Sequence, residues 1–179
     1  MGAEKRLVIQ SFIEKFRDQK QTAEKAVVQV SDERLHQPLD ENTNSLAVIM
    51  KHMAGNLRSR FTDFLGSDGE KPDRDRDSEF VDDIPDRLAL MSVWEQGWNC
   101  LFESLGPLTD DDLGRYVTIR NQPHTVADAL MRALAHAAYH VGQIVQLSRF
   151  MAKDRWNTLT IPRGGSREVN EKMREQFGK

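Results

Sequence analysis

The chain has 179 residues and a formal net charge of −3, and 39% of its residues are hydrophobic and 30% are charged. These values are typical of a globular protein with one core, so we expect residues 1–179 to form a single domain. Acidic and basic residues alternate along the chain, which argues against a nucleic-acid-binding face. The single cysteine excludes a disulfide within the chain.

From the sequence we expect neither a membrane span nor an export signal. No apolar run approaches the roughly 20 residues that a membrane span requires. No N-terminal stretch has the apolar core of a signal peptide. Because a lone cysteine also fits a reducing compartment, we expect a cytoplasmic protein without membrane association.

Helical periodicity dominates the N-terminal third. We predict a first helix from about Glu4 to Val30, and the segment from Asp32 to His36 could form a short helical turn. A second helix is predicted to begin at Asn44 or Ser45, which are good N-caps, and to end at Gly66. The expected apolar stripe of the first helix is Leu7, Phe12, Phe16, Ala23, Val27 and Val30.

The middle of the chain contains a charged segment followed by a third predicted helix. Residues 67–82 are polar and crowded with charge, which predicts a solvated crossover loop. A helix is predicted from Pro85 to Gly106, followed by a short capped turn over Thr109 to Leu113. Tyr116 to Ile119 is typical of a strand but has no evident partner. The predicted apolar face of the third helix is Leu88, Met91, Trp94, Trp98, Leu101 and Leu105.

The C-terminal third predicts the longest helix. Thr125 and Asp128 resemble a capping box at the start of a helix from Val126 to Ala152. A last short helix is predicted from Ser166 to Phe177. Four long amphipathic helices with almost no strand predict an all-α four-helix bundle with long crossover loops and a short C-terminal extension.

Three histidines form the candidate metal site. His136 and His140 are four residues apart on the predicted fourth helix, so both side chains lie on one face. His52 lies between apolar positions of the second helix and should point toward the bundle interior. Three nitrogen ligands with an open fourth position are typical of a catalytic metal site. The alternative is that all three are histidines of the core or its rim.

Two other metal motifs do not fit. A zinc protease of the H-E-x-x-H type needs a glutamate after His136, where the chain has Ala137. A ferritin-like di-iron site needs two Glu-x-x-His motifs, and Glu33 to His36 is the only such spacing. His36 and His124 lie beside prolines in connecting segments and are expected in turns or at the surface.

Other candidates have simpler interpretations. Arg60 follows His52 on the same helix and could meet a substrate carboxylate, although a solvated surface position is the simpler expectation. Trp94 and Trp98 are expected in the core, with the alternative that one lines a ligand pocket. Cys100 is expected to be a small buried apolar residue. No catalytic side chain is identified.

Residues 134–144 read LAHAAYHVGQI, residues 44–46 read NSL and residues 51–56 read KHMAGN. With Ile161 to Gly164, these segments resemble the DinB-like (YfiT-like) metal-binding superfamily, in a subfamily described as a domain of unknown function. The resemblance spans roughly Leu7 to Gly164. It implies a DinB-like four-helix bundle with an atypical long crossover, often a homodimer, with a divalent metal (Zn, Ni or Fe) bound by His52, His136 and His140.

The resemblance also carries the functional hypotheses. Some related proteins are metal-dependent transferases that use bacillithiol, mycothiol or glutathione. The first hypothesis is therefore a thiol (bacillithiol-type) S-transferase acting on a small electrophile, with a low-molecular-weight thiol as cosubstrate. One alternative is a metal-dependent hydrolase of small amides or thiol conjugates. The other is a non-enzymatic, metal-stabilised stress-response or binding protein.

Overall fold

The computed structural model describes residues 6–178, which are mainly α-helical. This confirms the all-α fold class, and the small sheet is confined to one hairpin. The helices are α1 (Leu7–Val27), α2 (Asp32–Leu35), α3 (Leu46–Phe61), α4 (Arg87–Leu105), α5 (Val126–Ala152) and α6 (Ser166–Phe177). The hairpin strands are β1 (Tyr116–Ile119) and β2 (Gln122–Thr125), and short 3₁₀ helices cover Asp77–Phe80, Asp110–Gly114 and Lys153–Arg155.

Two predicted helix starts, those of α3 and α5, have the expected side-chain caps. The Ser45 hydroxyl accepts a hydrogen bond from the Val48 N–H at 3.2 Å. The Thr125 hydroxyl accepts one from the Asp128 N–H at 3.1 Å. These bonds satisfy N–H groups that the first turn of a helix leaves without a partner, and α5 has the predicted bounds.

Several predicted bounds were too long. The first helix ends at Val27, and Glu4 lies outside the described residues. The second ends at Phe61 rather than Gly66, because Thr62 adopts an extended backbone with a ψ of 123° and Asp63 follows with a φ of 47°, both outside the right-handed helical region. The third begins at Arg87, two residues after Pro85.

Two predicted core residues are exposed. Leu7 and Leu88 are 79% and 82% exposed, although both continue an apolar stripe. Each lies in the first turn of its helix, and burial begins only at Ile9 and Leu90. The sequence pattern therefore extends beyond the packed part of the bundle.

The strand from Tyr116 to Ile119 does have a partner. It pairs antiparallel with β2, and Tyr116 lies opposite Thr125. Arg120 and Asn121 form the two-residue turn, both with positive φ, as hairpin turns of this length prefer. The partner strand was missed because Pro123 is unusual inside a strand.

The helix packing brings α3 and α5, the second and fourth predicted helices, together. Helix α3 packs against α4, α1 packs against α5, and α3 also contacts α5. Trp94 and Trp98 are fully buried in the core, as predicted, and neither lines the cavity described below. None of the described helices is long and apolar enough to cross a membrane.

Candidate metal centre

The structure brings His52, His136 and His140 together. Each histidine can contribute one ring nitrogen, and these three nitrogens all lie within 4.8 Å of one another. The Nε2 atoms of His136 and His140 are 3.2 Å apart. The four-residue spacing on α5 positions this pair, whereas the packing of α3 on α5 brings His52 to it.

The donor set fits a divalent transition metal. Two nitrogens that bind one zinc ion at about 2.0–2.1 Å in tetrahedral geometry are about 3.3–3.4 Å apart, which is close to the separation between His136 and His140. Imidazole nitrogens suit zinc, nickel and iron alike. The three histidines could therefore bind such an ion with only small side-chain movements.

A buried carboxylate orients His52. Glu79 Oε2 lies 2.9 Å from His52 Nδ1, and the two side chains are 8% and 5% exposed. An imidazole that donates its Nδ1 proton to a carboxylate keeps a lone pair on Nε2, which is the usual arrangement for a metal-binding histidine. The ring of Phe80 stacks on His52 with 4.7 Å between ring centroids. Both contacts fix the plane of the His52 ring.

Glu79 is itself fixed by an arginine. The Arg74 guanidinium donates to both carboxylate oxygens, at 2.8 and 2.9 Å. Burial alone would raise the pKa of Glu79, but hydrogen bonds from His52 and Arg74 lower it below its ordinary value. Glu79 is therefore a carboxylate at neutral pH and a charged acceptor for the His52 proton.

His140 has a neutral orienting partner. Its Nδ1 lies 2.8 Å from Gln143 Oε1, one turn further along α5. The Gln143 amide donates to the Tyr139 hydroxyl at 3.3 Å. A proton on His140 Nδ1 leaves the Nε2 lone pair directed at His136.

Residues 67–82 were predicted to form a solvated crossover loop, and this is correct for the many exposed residues of the segment but wrong for Glu79, which is buried. The 3₁₀ helix of the segment, Asp77–Phe80, packs against α3 and places Glu79 and Phe80 on His52. Glu79 and Arg74 were missed because the segment holds many charged residues, and no local pattern separates the buried pair from the others. A weak signal was Phe80, an aromatic residue in an otherwise polar stretch.

The environment keeps the imidazoles of His136 and His140 neutral. The pKa of His136 is lowered to about 3, chiefly by burial and then by the neighbouring His140, His52, Arg60 and Arg74. Burial also lowers the pKa of His140, against the opposing hydrogen bond to Gln143. Both histidines are therefore unprotonated at neutral pH, as metal binding requires.

A cavity of about 190 Å³ opens beside His52 and His136. Phe61, Phe64 and Ile119 form part of its apolar wall. Arg60 also lines it, and its side chain is only 11% exposed, so the expected solvated position for this arginine was wrong. The site thus combines three convergent nitrogens with a small cavity of mixed polarity, which is a common design of ligand pockets.

The remaining candidates lie elsewhere. His36 Nδ1 lies 2.7 Å from Asp82 Oδ1, and His124 pairs with Asp128 at the start of α5. Cys100 is half-buried on α4 and packs against the core rather than lying fully within it. None of these three residues lines the cavity.

The lowered pKa of His136 makes the metal-free protein sensitive to acid. Its folded-state value of about 3 lies below the unfolded value of 6.5, so the unfolded chain binds the proton first as the pH falls. This contribution to stability is present above pH 6.5 and is lost between pH 6.5 and 3. Between pH 7 and 5 we expect a loss of about 1–2 kcal/mol from this group.

Urea unfolding of metal-free protein at pH 7 and pH 5 measures this loss. The His136→Gln variant, which has no proton to bind there, should show a smaller difference between the two pH values. Equal pH dependence in the two proteins would contradict the assignment of a neutral, buried imidazole at position 136.

Gly55 makes room for the Glu79 side chain. A Cβ at position 55 would lie 2.5 Å from Glu79 Oε1 and 2.8 Å from Glu79 Cδ. Gly55→Ala should therefore displace the carboxylate from His52 and lower zinc affinity by about tenfold. The measurement is competition for Zn²⁺ with a chromophoric chelator.

The double variant Gly55→Ala/Glu79→Ala is the control for this prediction. If the glycine acts only through Glu79, adding Gly55→Ala to Glu79→Ala should cause little further loss, because coupled residues are not additive. Additive losses would show that Gly55 affects the site by another route.

The sequence model of one protein family matches residues 4–165, which is most of the chain. No curated protein matches the chain. The matched segment contains all three histidines, both cavity-lining helices and the crossover with Glu79. The chain therefore belongs to the family described as "Protein of unknown function (DUF1572)".

Proposed function

We propose that this chain is a metal-dependent enzyme of the DinB-like superfamily, and that it transfers a low-molecular-weight thiol to a small electrophile. The observation that carries the proposal is the convergence of His52, His136 and His140 beside a cavity. Three nitrogen ligands leave a coordination position for a further ligand. A metal that only tied helices together would have no need of an adjacent cavity.

His52, His136 and His140 would hold a divalent zinc, nickel or iron ion. Such an ion supplies positive charge that favours the thiolate form of a thiol bound at its open position. Glu79 keeps the His52 proton on Nδ1, and Gln143 can do the same for His140. Phe61, Phe64 and Ile119 form an apolar part of the cavity wall beside the site. No protein nucleophile is needed, which agrees with the position of Cys100 outside the cavity.

The test uses monochlorobimane as the electrophile, with bacillithiol, mycothiol or glutathione as the thiol. In the reaction a C–S bond forms, the C–Cl bond breaks, chloride leaves, and the thiol proton goes to solvent. We expect zinc-, nickel- or iron-loaded protein to form the conjugate faster than buffer with the same metal. The His136→Ala variant should lose this acceleration.

Other outcomes would overturn the transferase proposal. Cleavage of a preformed thiol conjugate or of a small amide, without thiol transfer, would favour the hydrolase alternative. Loss of melting temperature on metal removal, with neither reaction, would favour the non-enzymatic alternative. By contrast, thiol transfer together with only a small loss of melting temperature on metal removal would support an open catalytic site.

A further inference from the structure

Five arginines surround the cavity beside the three histidines. They come from separate parts of the chain: Arg60 from α3, Arg74 and Arg76 from the crossover, Arg120 from the hairpin turn and Arg132 from α5. The whole chain has a net charge of −3. The fold therefore concentrates positive charge in one small cavity of an acidic protein.

Two carboxylates offset only part of this charge. Glu70 pairs with Arg60 at 2.9 Å, with Arg74 at 3.2 Å and with Arg120 at 3.0 Å. Glu79 also pairs with Arg74. Burial would raise the pKa of Glu70, but hydrogen bonds from Arg60 and Arg120 lower it, so this carboxylate is ionised at neutral pH. Five guanidinium groups thus face two carboxylates.

Arg76 and Arg132 carry the excess charge. Within residues 6–178, neither guanidinium forms an ion pair or a side-chain hydrogen bond. Arg76 lies over the Phe80 ring at 5.0 Å from its centroid, and Phe80 stacks on His52. Arg132 lies one helical turn before His136 on α5. Both arginines line the same cavity as His52 and His136, and their guanidinium donors are available.

We propose that this cavity binds a small molecule bearing a carboxylate or phosphate group, and that Arg76 and Arg132 hold this anionic group beside the three histidines. The inference deepens the proposed function and rests on it for the identity of the reacting site. A guanidinium offers paired N–H donors that match the oxygens of a carboxylate or phosphate. Both arginine side chains are exposed, so they would hold the anionic group at the mouth of the cavity.

The size of the cavity limits the ligand. A volume of about 190 Å³ holds about six water molecules at roughly 30 Å³ each. It is smaller than the roughly 300–1,000 Å³ of pockets that enclose drug-sized ligands. The cavity therefore suits a ligand of few heavy atoms or the anionic end of a longer one.

Calorimetric titration of the purified protein tests the inference, both as isolated and after metal removal. The probes are malonate, methylphosphonate and malonamide, an uncharged analogue of malonate, in a buffer without phosphate or carboxylate. We expect malonate or methylphosphonate to bind, with an affinity that falls as salt is added, and malonamide not to bind. Binding of malonate alone indicates a carboxylate ligand, and binding of methylphosphonate alone indicates a phosphate ligand.

Matched arginine variants locate the binding. The double variant Arg76→Gln/Arg132→Gln should weaken anion binding by about tenfold or more, because it removes two charged donors. Arg149→Gln changes an exposed arginine on the same helix that does not line the cavity, and it should leave binding unchanged. Absence of anion binding, equal binding of malonamide, or unchanged binding in the double variant would overturn the inference.

The metal-free arm separates this inference from the proposed function. Anion binding by protein that never retains metal would support the anion site and contradict the metal-dependent enzyme. Metal binding and thiol transfer without anion binding would support the metal-dependent enzyme and contradict the anion site.

Discussion

Glu79→Gln should lower zinc affinity by about 10- to 100-fold, the usual effect of losing a partner of a metal-binding histidine. The amide can still accept the His52 proton, but it carries no charge to balance a bound cation. It also leaves Arg74 with Glu70 as its remaining carboxylate partner. The loss should therefore appear in metal affinity even where the fold is retained, and chelator competition measures it.

Two further variants sharpen this prediction. Glu79→Ala removes the acceptor altogether and should also lower the free energy of unfolding by about 2–4 kcal/mol, because it leaves buried donors unpaired. Asp77→Asn, an exposed residue of the same 3₁₀ helix, should change neither quantity. If Glu79→Gln binds zinc as tightly as the unmodified protein, the negative charge of Glu79 does not contribute to metal affinity.

Gly97→Ala should give the largest loss of stability among the glycine substitutions in helices, about 1–3 kcal/mol. Helices α3 and α4 approach so closely there that a Cβ at position 97 would lie 2.6 Å from Ala54 Cα and 2.8 Å from Ala54 O. The atoms in the way belong to the α3 backbone, which can move only if the two helices separate. Urea unfolding of metal-free protein measures the loss without a contribution from bound metal.

Gly142→Ala provides the matched control. Gly142 lies within α5, and an added Cβ there meets nothing within 4 Å. Because alanine is the better helix former, this variant should gain about 0.5–1 kcal/mol. A Gly97→Ala variant as stable as Gly142→Ala would show that α3 and α4 do not pack as closely as described.

The local parts of this structure could be predicted from the sequence. Helix α5 has the predicted bounds because its cap, Thr125, and its apolar spacing are both local signals. The proximity of His136 and His140 follows from helix geometry alone. The position of His52 opposite them required only that two amphipathic helices pack in one bundle.

The remaining parts depend on tertiary contacts. Glu79 is buried because the crossover folds onto α3, where Gly55 leaves space for its side chain. Arg60 is covered because Glu70 and the Gly69 carbonyl accept its hydrogen bonds. Neither contact has a periodic sequence pattern, so both residues were assigned to solvent.

The metal content of the protein, purified without a histidine tag, tests the central claim most directly. Elemental mass spectrometry should find close to one divalent zinc, nickel or iron ion per chain, and His52→Ala, His136→Ala and His140→Ala should each lose most of it. His124→Ala, which changes a histidine outside the cavity, should retain it. A wild-type protein that stays metal-free after incubation with Zn²⁺, Ni²⁺ or Fe²⁺ would contradict the metal site and leave the three histidines as polar residues of the bundle.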